Sequence, residues 1–264
     1  LVVTNVTGPP TVFFDQTVQV QWTVTNNGTG PTNAPQWKDA LYIGTSPTST
    51  SGATKLAEPS SITALNPGES YTATATVKIP RGISGAYYFQ VRTNSNSAVN
   101  ETSTANNLLS RPVTVNVPPL PDLTVETVQA PDEVFAGQPI SISYTIRNIG
   151  TDDANARKDR IYLSRDTILN TSQDKLIFTS DSIFGPAAGQ ATSHISQNRV
   201  GTQNPPVYNL VQIPSNLEGL WYVFVVTDYQ NSVYEYTGEN NNSGRDTVEP
   251  GAPMNILVTP PDLV

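Results

Sequence analysis

Val12–Gly30 reads VFFDQTVQVQWTVTNNGTG, and Val134–Asp152 reads VFAGQPISISYTIRNIGTD. In the first, Val18, Val20, Trp22 and Val24 alternate with Gln19, Gln21, Thr23 and Thr25. In the second, Ile140, Ile142, Tyr144 and Ile146 alternate with Ser141, Ser143, Thr145 and Arg147. Successive side chains of a strand point to opposite faces, so this alternation predicts a strand with one face in a core and one in water. Asn26-Asn27-Gly28 and Asn148-Ile149-Gly150 close the two strands with residues that tolerate positive φ. The same strand and turn, met twice, predict a tandem repeat.

Working outward, Trp37–Gly44, Tyr71–Ile79, Ala86–Asn94 and Arg111–Val117 read as further strands of repeat one, separated by Pro-, Gly-, Ser- and Asn-rich turns. Repeat two keeps the order. Lys158-Asp159-Arg160-Ile161-Tyr162-Leu163 matches Lys38-Asp39-Ala40-Leu41-Tyr42-Ile43, Ile213-Pro214 matches Ile79-Pro80, and Asn240-Asn241 falls on Asn106-Asn107. Repeat two is the longer, by an insertion placed within 189–208. Short strands at even spacing, with turn signals between, predict an all-β chain of two tandem immunoglobulin-like antiparallel β-sandwiches. The expected domains are 1–119 and 120–259. Pro118-Pro119-Leu120-Pro121 is expected to be an extended, semi-rigid joint that sets the two end to end. Pro260-Pro261-Asp262-Leu263-Val264 repeats the junction, so residues 260–264 are expected to begin a further repeat.

Composition narrows the function. The 22 prolines and 17 glycines argue against long helices, and the net charge of −8 without a basic run disfavours nucleic acid or an anionic membrane as partner. No apolar stretch is long enough to insert directly in a bilayer. Cysteine is absent, which excludes thiolate catalysis and thiolate metal sites.

The pattern PDL-x-V, G-Q-x-I-x-I-x-Y-T-I-x-N-x-G-T, D-x-I-Y-L-S-x-D, then Glu and Asn-Asn, resembles the CARDB family of bacterial and archaeal cell-adhesion-related domains. In repeat two the resemblance rests on Pro121-Asp122-Leu123, Gly137-Gln138, Tyr144-Thr145-Ile146, Asn148, Gly150-Thr151, Asp159, Ile161-Tyr162-Leu163-Ser164, Asp166, Asp228, Glu235 and Asn240-Asn241. Repeat one departs with Asp15 for Gly137, Gly44 for Ser164 and no counterpart of Asp166. The resemblance implies an immunoglobulin-like sandwich. It implies no single activity, since such modules sit in adhesins, stalks and secreted hydrolases alike.

Enzyme signatures are missing: the one histidine, His194, builds no triad, and no nucleotide or metalloprotease motif occurs. The chain is therefore expected not to be an enzyme. In the turn Asp228–Asn242, Asp228, Glu235, Glu239 and Asn240 offer the oxygen ligands that calcium takes, making it the one cofactor this sequence would suit; the competing reading is that Asp and Asn brace turns. Trp37, Tyr42, Tyr229, Tyr234 and Tyr236 would suit glycan stacking if exposed and sandwich packing if not. Thr167, Ser182 and Thr247 sit in Asp-Ser/Thr-apolar tripeptides that resemble a bacterial O-glycosylation acceptor. Tyr222, Phe224 and Val226 form an apolar strip on the outer face of a strand whose inner face is also apolar. The expectation is that the insertion folds over this strip, or that it is an interface with a like chain or a partner.

The sequence thus reads as a structural or adhesive segment of a bacterial cell-surface or secreted protein. Its partners would be neighbouring repeats of the same polypeptide, with surface glycans or like chains in a fibre as further candidates. The rival readings are a glycan- or ligand-binding module and an accessory region of a secreted hydrolase.

Overall fold

The computed structural model describes residues 1–61, 64–200, 202, 207–246 and 253–258. Thr247 and the junction at 260–264 lie outside the described residues, as does much of the tip of the insertion. The chain divides into two units, Leu1–Pro118 and Pro119–Val264.

Among the described residues repeat one has eight strands: β1 (Val2–Thr7), β2 (Thr11–Phe13), β3 (Thr17–Thr25), β4 (Ala40–Gly44), β5 (Thr54–Ala57), β6 (Ser70–Lys78), β7 (Gly85–Arg92) and β8 (Leu108–Asn116). They form two sheets, β1-β3-β6 and β2-β8-β7-β4-β5. All pairs are antiparallel except β2 with β8. The alternation places the core: Val18, Val20, Trp22 and Val24 are buried, while Gln19 and Gln21 are exposed. A slip of one residue would reverse every side chain, so the buried face fixes the register of β3 against both neighbours.

Repeat two comprises β9 (Leu123–Gln129), β10 (Glu133–Phe135), β11 (Pro139–Ile140), β12 (Ser143–Asn148), β13 (Arg160–Ser164) and β14 (Lys175–Thr179). They are followed by β15 (Ala191–Ile195), β16 (Gln197–Val200), β17 (Val207–Gln212), β18 (Gly219–Val226), β19 (Ser243–Arg245) and β20 (Met254–Leu257). One face is β9-β12-β15 with the small sheet β11-β17-β16; the other is β10-β20-β18-β13-β14, with β19 also on β18. Its core joins Ile140, Ile142, Tyr144 and Ile146 to Ile161, Leu163, Trp221, Val223 and Val225.

Asp15 and Gly137 occupy the same left-handed backbone position, at φ 61° and 78°. Glycine takes it without a Cβ penalty. Asp15 takes it with its carboxylate held by Lys78 Nζ at 2.9 Å and by Arg81. The turns after β3 and β12 work otherwise than the sequence led us to expect. Neither Asn26 nor Asn148 has a positive φ; both are buried and act through their amides. Asn26 donates to the Gly30 and Leu65 carbonyls and accepts from Gly28 N. Asn148 donates to Asp152 and Pro186 and accepts from Gly150 N and Asp122 N. Gly150 is required by crowding, since a Cβ there would lie 2.5 Å from Asp122 N and press on the Leu120 carbonyl oxygen. Thr151 N also donates to that oxygen, and Ile149 N to Asp122 O. Leu120–Asp122 is thereby stitched into repeat two.

The insertion takes a path the sequence did not show. In repeat one, β6 runs unbroken along β3 from Ser70 to Lys78. In repeat two, β15 pairs with β12 as far as Ile195, Ser196 brackets Ile142 with two hydrogen bonds, and the chain leaves the ladder. It returns in β17, which pairs with β11. The excursion is a hairpin: β16 pairs with β17 on the side away from β11. Asn198 fastens it to β14, accepting from Asp181 N and donating to Thr179 O.

The expected cover of Tyr222, Phe224 and Val226 therefore comes from elsewhere, because the described strands of 189–208 belong to the opposite sheet from β18. Phe224 is nonetheless only 6% exposed. It lies between Tyr162 on β13 and Arg245 on β19. Repeat one explains the position. There the equivalent residue is Gln90, fully buried although on the outer face, donating to the carbonyls of Ser46 and Ser49 in the loop after β4. That loop folds over the sheet. In repeat two the loop after β13 contributes Thr171 to a cavity shared with Tyr162 and Val226.

Candidate functional site

Two carboxylates hold matching places in the polar interior of each repeat, Asp39 and Glu101 in repeat one, Asp159 and Glu235 in repeat two. The first follows the lysine of the shared Lys-Asp pair. Asp39 is 1% exposed. Trp22 Nε1 donates to its Oδ2 at 2.8 Å, Tyr71 OH donates to the same oxygen, and Thr93 Oγ1 donates to Oδ1 at 2.8 Å. Trp37 Nε1 in turn donates to the Tyr71 oxygen at 3.0 Å, the two rings lying 5.7 Å apart. Burial, and then the Asp39 charge, push the Tyr71 phenol well above its usual range. The donors come from β3, β6 and the end of β7, so one carboxylate ties both sheets.

Repeat two keeps the acid and the threonine and changes everything around them. Tyr144 stands for Trp22, Arg157 for Trp37 and His194 for Ala73. Asp159 accepts from Arg157 Nε at 3.1 Å, Thr227 Oγ1 at 2.8 Å and Asp228 N at 3.2 Å. Arg157 is buried with it and also donates to Thr227 Oγ1 and the Phe184 carbonyl. Arg157 Nη2 lies 3.1 Å from His194 Nε2. Guanidinium only donates, so Nε2 must accept, which makes the imidazole neutral with its proton on Nδ1. Burial, then the Arg157 charge, accordingly lower the His194 pKa. The histidine thus belongs to the sandwich on β15, before the insertion rather than within it.

The second carboxylate holds the start of each sandwich. Glu101 Oε1 accepts from Asn94 Nδ2 at 2.7 Å and Asn107 Nδ2 at 2.8 Å, and its Oε2 meets the Leu1 nitrogen. Glu235 Oε2 accepts from Leu123 N at 3.0 Å, the same strand position in repeat two. Asn242, with its amide nitrogen turned inward, donates to that oxygen at 3.1 Å. The equivalent of Asn107 is thus Asn242, one residue beyond the expected Asn241, because the turn Gly238–Asn240 of 3₁₀ helix lengthens the segment. Asp228 replaces Asn94 and has no amide to give, so Glu235 Oε1 is left buried and unpartnered. Burial foremost, then Glu239, Asp122 and Asp228, raise the Glu235 pKa to about 7, while the hydrogen bond from Leu123 N lowers it.

The calcium candidates are engaged as follows. Asp228 directs its oxygens to Ser232 N and Val233 N, bracing a turn in which Asp228 itself sits at φ 44°. Burial raises its pKa. Glu239 Oε1 accepts from Glu235 N, and Asn240 is exposed. Among the described residues no three acidic or histidine side chains converge as a metal would require. Of the stacking candidates, Trp37 is wholly buried, Arg160 covers the Tyr229 ring at 3.7 Å, and Tyr42, Tyr234 and Tyr236 are half-buried. Thr167 and Ser182 are exposed in loops.

The shared Lys-Asp pair aligns Asp39 with Asp159 in the sequence, and Glu235 falls on Glu101, but neither alignment marks these acids as nodes. The signal was an acid kept in step between two apolar strands.

The family model described as CARDB matches residues 1–111 and again 120–245. No curated protein matches the chain. Among solved structures, the CARDB domain of the PF1109 protein from Pyrococcus furiosus, a complex with di-metal ions, is 17% identical, with a TM-score of 0.36, over 55% of this chain and 100% of that one. The fibronectin(III)-like modules of Clostridium thermocellum CbhA are 12% identical over 97% of this chain and 94% of theirs, TM-score 0.24. The calcium-binding domain CBD12 of CALX1.1 is 8% identical over 84% and 78%, TM-score 0.24.

Proposed function

The chain belongs to the CARDB family, as two such domains in tandem, and from this we propose that it is a structural and adhesive segment of a bacterial surface or secreted protein that spaces and presents its neighbours. The observation that carries the reading is how the first strand of repeat two is secured. Glu235 accepts from Leu123 N at its start, and Asp246 Oδ2 accepts from Ala130 N just past its end, at 2.9 Å. Between them β9 is laddered to β12. A chain pulled from its ends loads its terminal strands first. Carboxyl oxygens that accept from backbone amides fasten both ends of this strand, so clamps there resist peeling. The buried polar groups of both repeats likewise hold strands to one another.

The test is exchange within the full polypeptide. Replacing the tandem by an unrelated pair of sandwiches of equal length should preserve surface presentation and adhesion, and deleting it should reduce both. If exchange is as damaging as deletion, the tandem binds something itself, and the glycan- or ligand-binding reading takes its place.

A further inference from the structure

The two Lys-Asp nodes differ at the sandwich edge. In repeat two the space between β15 and the segment around Ile183 is filled from inside: Arg157 extends past Asp159 to the Phe184 carbonyl and His194. The imidazole lies beside the Tyr144 ring at 5.4 Å. In repeat one the corresponding segment bonds back in the same way, Ser61 N to Trp37 O where repeat two has Ile183 N to Arg157 O. The residue at the position of His194 is Ala73, one strand over from Trp22 as His194 is from Tyr144. Trp37, at the position of Arg157, is turned to Tyr71. What remains is a cavity of about 280 Å³, lined by Asp39, Pro59, Ser60, Ser61, Tyr71 and Ala73 among others.

We propose that this cavity of repeat one is a binding site for a guanidinium group presented by a partner, occupying the place that repeat two gives to its own Arg157. Its floor is a buried carboxylate whose three donors are neutral, Trp22, Tyr71 and Thr93, and with which no cationic side chain pairs among the described residues. Guanidinium matches carboxylate and carbonyl acceptors with planar donors and stacks on aromatic rings. Tyr71 brings an aromatic side chain to the lining, and Ser60 and Ser61 are polar residues of its wall. The occupant is an arginine side chain on an extended segment, since Tyr71, Thr72 and Ala73 of the lining belong to β6, which among the described residues pairs with β3 alone.

The experiment is a titration of the intact two-repeat chain, followed by amide NMR shifts, with Nα-acetyl-arginine amide and, separately, its neutral isostere Nα-acetyl-citrulline amide. Saturable shifts confined to Ser60, Ser61 and Tyr71–Ala73, at least tenfold weaker with citrulline, are expected. Ala73→His should abolish them by placing an imidazole where repeat two has His194. The citrulline arm on the unaltered chain decides the matter if that variant does not fold. Equal shifts from both probes, non-saturating shifts, or arginine shifts that survive Ala73→His would overturn the proposal.

Discussion

Glu235 is where the two repeats part most sharply in physical terms, and Glu235→Gln exposes the difference. The folded chain raises its pKa from the ordinary 4.5 to about 7, chiefly by burial and then through Glu239, Asp122 and Asp228. Between those values the folded state holds a proton that the unfolded state has released. Its contribution to stability is therefore full below about pH 4.5 and is lost as pH rises through 7. The gap corresponds to about 3 kcal/mol at most, and relaxation of the surface turn brings the expected effect to about 1–3 kcal/mol. The substituted amide would keep an acceptor for Leu123 N and carry no charge. Thermal melts from pH 5 to 8.5 should show the variant equal to the parent at pH 5 and more stable at pH 8, by roughly 3–10 °C in the repeat-two transition. The difference between the two proteins is the quantity to read, since His194, whose pKa is lowered, adds an opposite slope: its stability is present above the ordinary 6.5 and falls away as acid protonates it. Asp228→Asn should flatten the same difference by restoring the amide that Asn94 gives Glu101. A Glu235→Gln variant that tracks the parent at every pH would refute the reasoning.

Arg157→Ala leaves Asp159 buried without its cation and should cost about 3–5 kcal/mol, shifting the repeat-two transition in urea while leaving repeat one in place. Phe224→Gln buries repeat one's amide in place of a ring and should cost about 2–4 kcal/mol by the same measurement, through lost packing and a desolvated amide; a neutral outcome would mean that carbonyls receive the amide there as Ser46 and Ser49 receive Gln90. Calcium should move the melting temperature no further than an ionic-strength control, since Asp228 and Glu235 already accept from backbone amides. A calcium-specific rise would mean that the unpartnered oxygens of Glu235 and Glu239 take the ion.

The sandwich was legible because its signal is local. Val20, Trp22, Ile142 and Tyr144 alternate within a few residues of one another, and their burial follows. The polar interior was not legible, because its partners are scattered along the chain. Asp39 collects donors from Trp22, Tyr71 and Thr93, and nothing near Asp39 in the sequence announces them. Gln90 reads as a solvent-facing residue by alternation; only a loop returning from positions 46 and 49 makes it a core residue. Its replacement by Phe224 looked like an exposed strip for the same reason. Carboxylates in an Asn-rich turn carry the composition of a calcium loop, but composition does not say whether backbone amides have claimed the oxygens first, as they have at Asp228. The insertion was visible as extra length, whereas its hairpin depended on Ser196 breaking the ladder and Asn198 reaching β14.

The claim that these are two self-contained sandwiches that withstand tension is tested most directly by stretching the tandem between handles and recording its extension against force. The prediction is two separate steps, releasing roughly 40 nm for the unit ending at Pro118 and roughly 50 nm for the rest. The second step should weaken when Asp246→Ala removes the acceptor for Ala130 N. A single combined step, or a smooth extension without steps at low force, would contradict it.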